Sequence, residues 1–317
     1  MAKKTEFIIF NPEGGLGKII ASTAVVRSIK AHYPDKKIIV VTPWPEVFLN
    51  NPHVWRVFRS GNQPYFYKDY IQDRETLVFK GEPYFNTGHL YNRQHVVKSW
   101  CELHNVKFDG NYNPELYFTP AEIAKVQAAF QRPKPICLLQ TNGGMYNHNP
   151  QHHKHYAWAR DLPHNQAQIL ANELSKLYTV LHITKQGNPD LANTERIQDM
   201  DKRSLMLLPA IATKACLIDS CLQHAAAALG KKSTVAWIAT HPEVFGYDLH
   251  TNVKPCMPFN KNQNTAYIDS ILFDYDFNGP EHEFPFAQSD IFNLQEIFDS
   301  IVKEEVEVPA PTPEEEK

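Results

Sequence analysis

Residues 215–230, together with residues 233–238, constrain this chain more than any other stretch. The run Ala-Cys-Leu-Ile (215–218) reads as a buried strand, Asp219 and Ser220 as a polar turn, and residues 222–229 as an alanine-rich helix that Gly230 stops. After two lysines a second apolar run, 233–238, returns. The unit reads as strand, helix, strand. Its helix leaves free backbone N–H groups at the carboxyl end of the first strand, where they favour an anion such as a diphosphate. Asp219, Ser220 and His224 crowd that helix start. The plainer alternative is that Asp219 or Ser220 only caps the helix, an effect of about 0.5 to 2 kcal/mol.

The remainder of the chain repeats the theme. A short apolar strand at residues 6–10 leads through the loop Asn-Pro-Glu-Gly-Gly-Leu-Gly (11–17) into a helix over about 18–32 and a strand over 37–42. Glu13, Gly14, Gly15 and Gly17 lie in this loop, whose spacing matches neither GxGxxG nor the P-loop pattern. Glycines that merely permit a tight turn are the competing reading. A turn with a short helix is expected in 43–52, a strand at 54–58, an apolar run at 76–79 and a helix within 90–104. Thr119-Pro-Ala-Glu122 is a capping box, and Gln-Arg-Pro-Lys-Pro then breaks the chain after about residue 130. A second series follows: strand 136–140, helix 166–177, strand 178–184, helix 203–212 and the unit described first.

The expected fold class is therefore α/β, with two Rossmann-like, doubly wound domains facing across a cleft. Residues 1–132 form the amino-terminal domain in this reading, 133–288 the carboxy-terminal one, 289–303 a terminal helix, and 304–317 an acidic, proline-rich disordered tail.

A net charge of −3 gives no general attraction to nucleic acid or to anionic membranes. No apolar run reaches the roughly 20 residues of a membrane span, and the start is too short for a signal-peptide core, so a cytoplasmic protein is expected. Five scattered cysteines without a CxxC pair read as reduced core thiols. His148, His152, His153 and His155 cluster in the segment after Thr141 but share no ligand-like spacing with a carboxylate or cysteine, so a solvated loop is expected there and no metal. Asp274-Tyr-Asp276 lies late, in an aromatic run.

With both halves described, the chain resembles the bacterial lipopolysaccharide heptosyltransferases of glycosyltransferase family 9, which have the two-domain GT-B fold. Asp219-Ser-Cys-Leu-Gln-His224-Ala-Ala-Ala-Ala-Leu-Gly230 is similar to the family's Asp-[Ser/Thr]-Gly-x-x-His-x-x-Ala-Ala-Leu-Gly element. Gly15-Leu16-Gly17 and the helix to Tyr33-Pro34 resemble its amino-terminal Gly-Asp-x-Leu loop and continuation. Trp158-Ala-Arg160-Asp-Leu-Pro163 and Thr240-His-Pro242 resemble two further family segments.

The resemblance implies transfer of a heptose-like or other sugar from a nucleotide-diphosphate donor to a hydroxyl of a glycan or lipopolysaccharide-type acceptor, with inversion and without cofactor or metal. By matched position, Asp219, Ser220, Cys221, Leu222 and His224 would surround the donor, with Thr141, Arg160, Gly15 and Gly17 nearby. Arg160 would neutralise the leaving phosphate.

Two positions depart from the family. Cys221 stands where it has glycine in the diphosphate turn, and Lys18 stands where it has the proposed catalytic carboxylate. A lysine side chain is protonated at neutral pH and cannot take up the acceptor's proton. Glu13 is one candidate replacement. Lys18 binding an anionic group, with the base elsewhere, is a second account. In a third, the fold and donor site are kept without catalysis, leaving a sugar-nucleotide or glycan-binding protein. A nucleotide-sugar epimerase is the alternative enzyme.

Overall fold

The computed structural model describes residues 7–143, 160–238, 240–256 and 290–303. His148, His152, His153, His155, Trp158, Asp274, Asp276 and the tail from residue 304 lie outside the described residues.

In the first half, β1 (Phe7–Asn11), α1 (Leu16–His32), β2 (Lys37–Thr42) and β3 (Arg56–Arg59) are followed by α2 (Phe66–Tyr70), β4 (Thr76–Lys80), α3 (Thr87–Asn92), α4 (Val96–Leu103) and α5 (Pro120–Ala129). Short 3-10 turns cover Pro45–Phe48 and Pro83–Phe85. In the second half, β5 (Ile136–Gln140), α6 (His164–Leu177), β6 (Thr179–Ile183) and β7 (Glu195–Ile197) precede α7 (Lys202–Ile211), β8 (Lys214–Ile218), α8 (Cys221–Ala228), β9 (Thr234–Ala236), α9 (Pro242–Phe245), β10 (Thr251–Val253) and α10 (Leu294–Val302).

Both sheets are wholly parallel, ordered β3-β2-β1-β4 and β10-β9-β8-β5-β6-β7. Each begins in its own interior, at β1 or β5, grows outward on one side, and then returns to the other side of its first strand. That reversal opens a crevice at the strands' carboxyl ends, between β1 and β4 in one sheet and between β5 and β8 in the other. The expected α/β, doubly wound class is what the strands form.

Helix α1 shows why the two halves adhere. It buries Ile19, Ile20, Ala21, Ser22, Thr23, Ala24, Val25, Val26, Ser28 and Ile29, nearly its whole circumference. Such a helix needs apolar partners on two sides. One side is the first sheet, and the other is α8, whose Ala225 belongs to the same core as Ile8, Phe10 and Trp100. Its interior hydroxyls are satisfied locally, Ser22 Oγ donating to Ile19 O and Thr23 Oγ1 to Ile20 O. Helix α5 has the capping box expected at Thr119 and Glu122, and its Val126 packs in the second sheet's core.

Several elements differ from the sequence expectation. The span 90–104 holds two helices, because Arg93 takes a left-handed conformation (φ 47°) and the His95 side chain caps the second. Neither glycine nor proline marks that break. Strand β3 lies two residues later than expected at its start, and the short β7, β10 and α2 carry too little apolar periodicity to be foreseen.

Candidate functional site: two helix mouths at the sheet switch points

The turn after β8 builds one wall of the site. Asp219 is buried, Ser220 and Cys221 are half-buried, and Ser220 is the N-cap residue with an extended backbone. Its hydroxyl accepts no bond from the helix, whereas Thr119, Asp201 and Asn293 do cap theirs. The first N–H groups of α8 are thus left for another partner. Helix α1 begins the same way, from Gly15 with no side-chain cap.

These two open helix ends meet. A Cβ added to Gly17 would lie 2.9 Å from His224 Cδ2, 3.2 Å from Cys221 Cα and 3.3 Å from Cys221 N, so the contact itself demands glycine. A Cβ at Gly15 would enter open space. Two positive helix ends in contact disfavour one another by a few tenths of a kcal/mol or more, which an anion between them relieves.

The surroundings are cationic. Lys185 and Lys202 act on the Cys221 thiol, although burial dominates and raises its pKa. Burial first, then His95, His250 and Arg160, lower the His224 pKa to about 3. His224 is therefore neutral, and its Nδ1 lies 2.7 Å from the Tyr247 hydroxyl. Burial, with the Asp219 carboxylate adding to it, raises the Tyr247 pKa, so the phenol keeps its proton. The His224 Nε2 lies 3.2 Å from the side-chain amide nitrogen of Gln223, and its Cδ2 edge meets Gly17.

Beside this turn, the loop after β5 is fixed by Asp161, whose Oδ1 accepts from Gly143 N (2.8 Å) and Oδ2 from Asn142 Nδ2 (3.0 Å). Burial raises the Asp161 pKa against these bonds, which lower it. Thr141 is buried and donates to Asn142 Oδ1 (2.8 Å), so His182 Nε2, also 2.8 Å away, donates to Thr141. The added Cβ of Gly143 would touch Ile218 and Arg160 Cδ, which places Arg160 at the β5 and β8 strand ends.

At the first sheet's switch point, Lys18 Nζ reaches both carboxylate oxygens of Glu82, at 2.6 and 2.5 Å. The Tyr84 and Trp100 ring centroids stand 4.8 and 5.3 Å from the ammonium. Glu13 instead forms a surface pair with Lys80 at 3.2 Å, both side chains about 60 % exposed.

The structure thus packs Gly17 on Cys221 and His224, with Asp219, Ser220 and Leu222 in the same turn and the Leu222 side chain in the core. Thr141 and Arg160 lie at the adjoining strand end, Gly15 on the open side of α1, and Lys18 turned toward Glu82. Sequence reasoning missed Glu82, Tyr247, Asp161 and His182. The signal for Glu82 was available, since a carboxylate two residues beyond a strand neighbouring β1 falls at the switch point. The other three depend on tertiary pairing.

The halves are further tied by His95 Nε2, which donates to Gly246 O (3.1 Å); burial lowers the His95 pKa to about 4 and keeps it neutral. Arg203 of α7 reaches Glu122 at 2.7 Å, Tyr117 O at 2.6 Å and Glu46 O at 3.1 Å. Among the described residues no group of three His, Cys, Asp or Glu side chains could hold a metal ion, and no helix is long and apolar enough to cross a membrane.

No protein-family model and no curated protein sequence matches the chain. Solved structures do. The ADP-heptose lipopolysaccharide heptosyltransferase II of Escherichia coli superposes with a TM-score of 0.60 at 14% identity, over 78% of this chain and 89% of that one. A family 9 glycosyltransferase from Veillonella parvula gives 0.59 at 10% identity, over 79% and 85%. The iron-containing dodecameric glycosyltransferase TibC from enterotoxigenic E. coli gives 0.59 at 12% identity, over 93% of this chain and 72% of that one. The chain shares their GT-B-type fold.

Proposed function

We propose that this protein is a glycosyltransferase of the heptosyltransferase-like family 9 kind, moving a sugar from a nucleoside diphosphate to a hydroxyl of a glycan acceptor. The observation that carries the reading is the meeting of two uncapped helix amino ends, those of α1 and α8, at the switch points of two facing sheets. Departure of a diphosphate builds negative charge that such an end stabilises without reorganisation.

In this reading residues 133–288 carry the donor and 1–132 face the acceptor, with 289–303 as a terminal helix and 304–317 as a tail. The Ser220, Cys221 and Leu222 amides would hold the β-phosphate, with His224 beside them. Arg160 would offset the charge of the leaving group. The loop from Thr141, stiffened by Asp161 and His182, would border the nucleoside, and Gly15 would leave room for the sugar. The acceptor oxygen bonds to the anomeric carbon while the carbon–oxygen bond to the diphosphate breaks, its electron pair leaving with the phosphate; attack from the opposite face inverts the centre. No metal or other cofactor enters this scheme, and a cytoplasmic setting fits a soluble sugar nucleotide.

Solved relatives of this fold are described with ADP and with ADP-D-β-D-heptose, which makes ADP-heptose the first donor to try. Lipopolysaccharide lacking its heptoses is the matching acceptor. Release of ADP that depends on both supports the proposal. Release without acceptor points instead to a hydrolase or epimerase. Binding of ADP without any turnover selects a non-catalytic binding protein, one of the accounts opened by Lys18.

A further inference from the structure

We propose that Glu82 is the group that receives the proton of the acceptor hydroxyl, with Lys18 holding its carboxylate in place; the inference rests on the sugar-transfer reading above. Lys18 occupies the first turn of α1, at the position where the resemblance calls for a carboxylate. Glu82 follows β4, the strand next to β1, and meets the Lys18 ammonium through both oxygens. The two charges have exchanged supports: the helix supplies the cation and the neighbouring strand end the anion.

Three features distinguish this pair from an ordinary surface bridge. It lies in the β1/β4 switch-point crevice, and Gly17, the residue before Lys18, packs on Cys221 and His224 at the mouth of α8. The Glu82 side chain is 34% exposed and that of Lys18 only 11%, so Glu82 is the more accessible partner of the pair. The Tyr84 and Trp100 rings fix the ammonium from other sides, giving the carboxylate a rigid mount. A carboxylate has about four lone-pair sites, so two contacts to Lys18 leave room for a hydroxyl donor. Glu13 has no such mount: its partner Lys80 is as exposed as itself, a kind of pair that contributes little.

In the step assigned to Glu82, the acceptor O–H proton passes to a Glu82 oxygen as the acceptor oxygen bonds to the anomeric carbon. The bond from that carbon to the diphosphate oxygen breaks, and its electrons leave with the diphosphate. Glu82 afterwards loses the proton to water. Lys18 is a positioning residue and takes no part in the proton transfer.

The test measures ADP release from ADP-heptose with heptose-deficient lipopolysaccharide, alongside the Kd for ADP, for the native chain and the variants E82Q, E82D, E13Q, K18R and K18M. Glu82→Gln is expected to lower kcat by about 100-fold or more with the Kd for ADP within about twofold of native. Glu82→Asp, which keeps the charge, should fold like the native chain and retain more activity than Glu82→Gln. Lys18→Met should lower kcat without weakening ADP binding, and Lys18→Arg should restore most of it. A Glu82→Gln kcat within about threefold of native, or a loss confined to Glu13→Gln, overturns the assignment. A native chain that binds ADP but releases none from the donor also overturns it while leaving the donor site standing. A native chain that does not bind ADP removes the donor reading itself.

Discussion

The two switch points of this molecule are built from different materials. At β5/β8 the switch point is lined by backbone: the uncapped amino end of α8 after Ser220, with the β5 loop held beside it by Asp161. At β1/β4 the lining is a pair of side chains, Lys18 and Glu82, from elements 64 residues apart. A backbone site suits a group common to every donor, the diphosphate, whereas a side-chain site can change its charge order and still lie in the same crevice. The backbone site and the side-chain site therefore sit on opposite sides of one contact, made at Gly17.

This difference also sets what the sequence could disclose. The α8 unit is contiguous, and its strand run, polar turn, alanine stretch and Gly230 stop (φ +64°) are local rules that the structure follows almost residue for residue. The parallel sheets follow from the same alternation. Lys18 was legible as an anomaly, but its partner was not, because an ion pair across 64 residues leaves no periodic trace. The same holds for the pairing of His224 with Tyr247 and of Thr141 with His182. The break at Arg93 was hidden because a non-glycine residue takes the left-handed conformation there.

Mild acid should have the largest effect on the contact between the halves. His95 and His224 have folded pKa values depressed by burial to about 4 and about 3, below the ordinary 6.5. The unfolded chain therefore takes up their protons first as pH falls. The stability they contribute is full above pH 6.5 and is lost below it, by about 1.4 kcal/mol per pH unit for each, until the folded values are reached. Urea midpoints at pH 7.5 and 5 should differ accordingly, and His95→Phe should reduce the difference by its own share only, because burial also lowers the pKa of His89, His104, His182 and His250. An unchanged midpoint would mean that neither ring is buried.

Gly17→Val comes next. Its side chain would press on Cys221 backbone and His224, for a loss of about 1 to 3 kcal/mol and weaker ADP binding, while Gly15→Ala, facing open space, should melt like the native chain. Equal effects at the two glycines would dissolve the asymmetry argued here. Arg203→Leu should remove about 2 kcal/mol in urea unfolding, because it strands Glu122 and two carbonyls that the guanidinium joins. Glu122 is held well below the usual carboxylate range, at about 2, chiefly by its bond to Arg203, and should titrate higher in this variant.

The smallest effect separates capping from binding. Thr119→Ala should cost about 1 kcal/mol, since Thr119 caps α5, whereas Ser220→Ala should leave the unliganded melting point nearly unchanged because its hydroxyl caps nothing. A loss at Ser220 equal to that at Thr119 would return the α8 turn to a purely structural role.

The most direct test of the central claim, that the α8 mouth cradles two linked phosphates, is a thermal-shift titration with ADP beside adenosine. The account expects Tm to rise saturably with ADP, on the order of 5 °C at one hundred times Kd, and to stay flat with adenosine. A flat ADP curve, or equal shifts from both compounds, would contradict it.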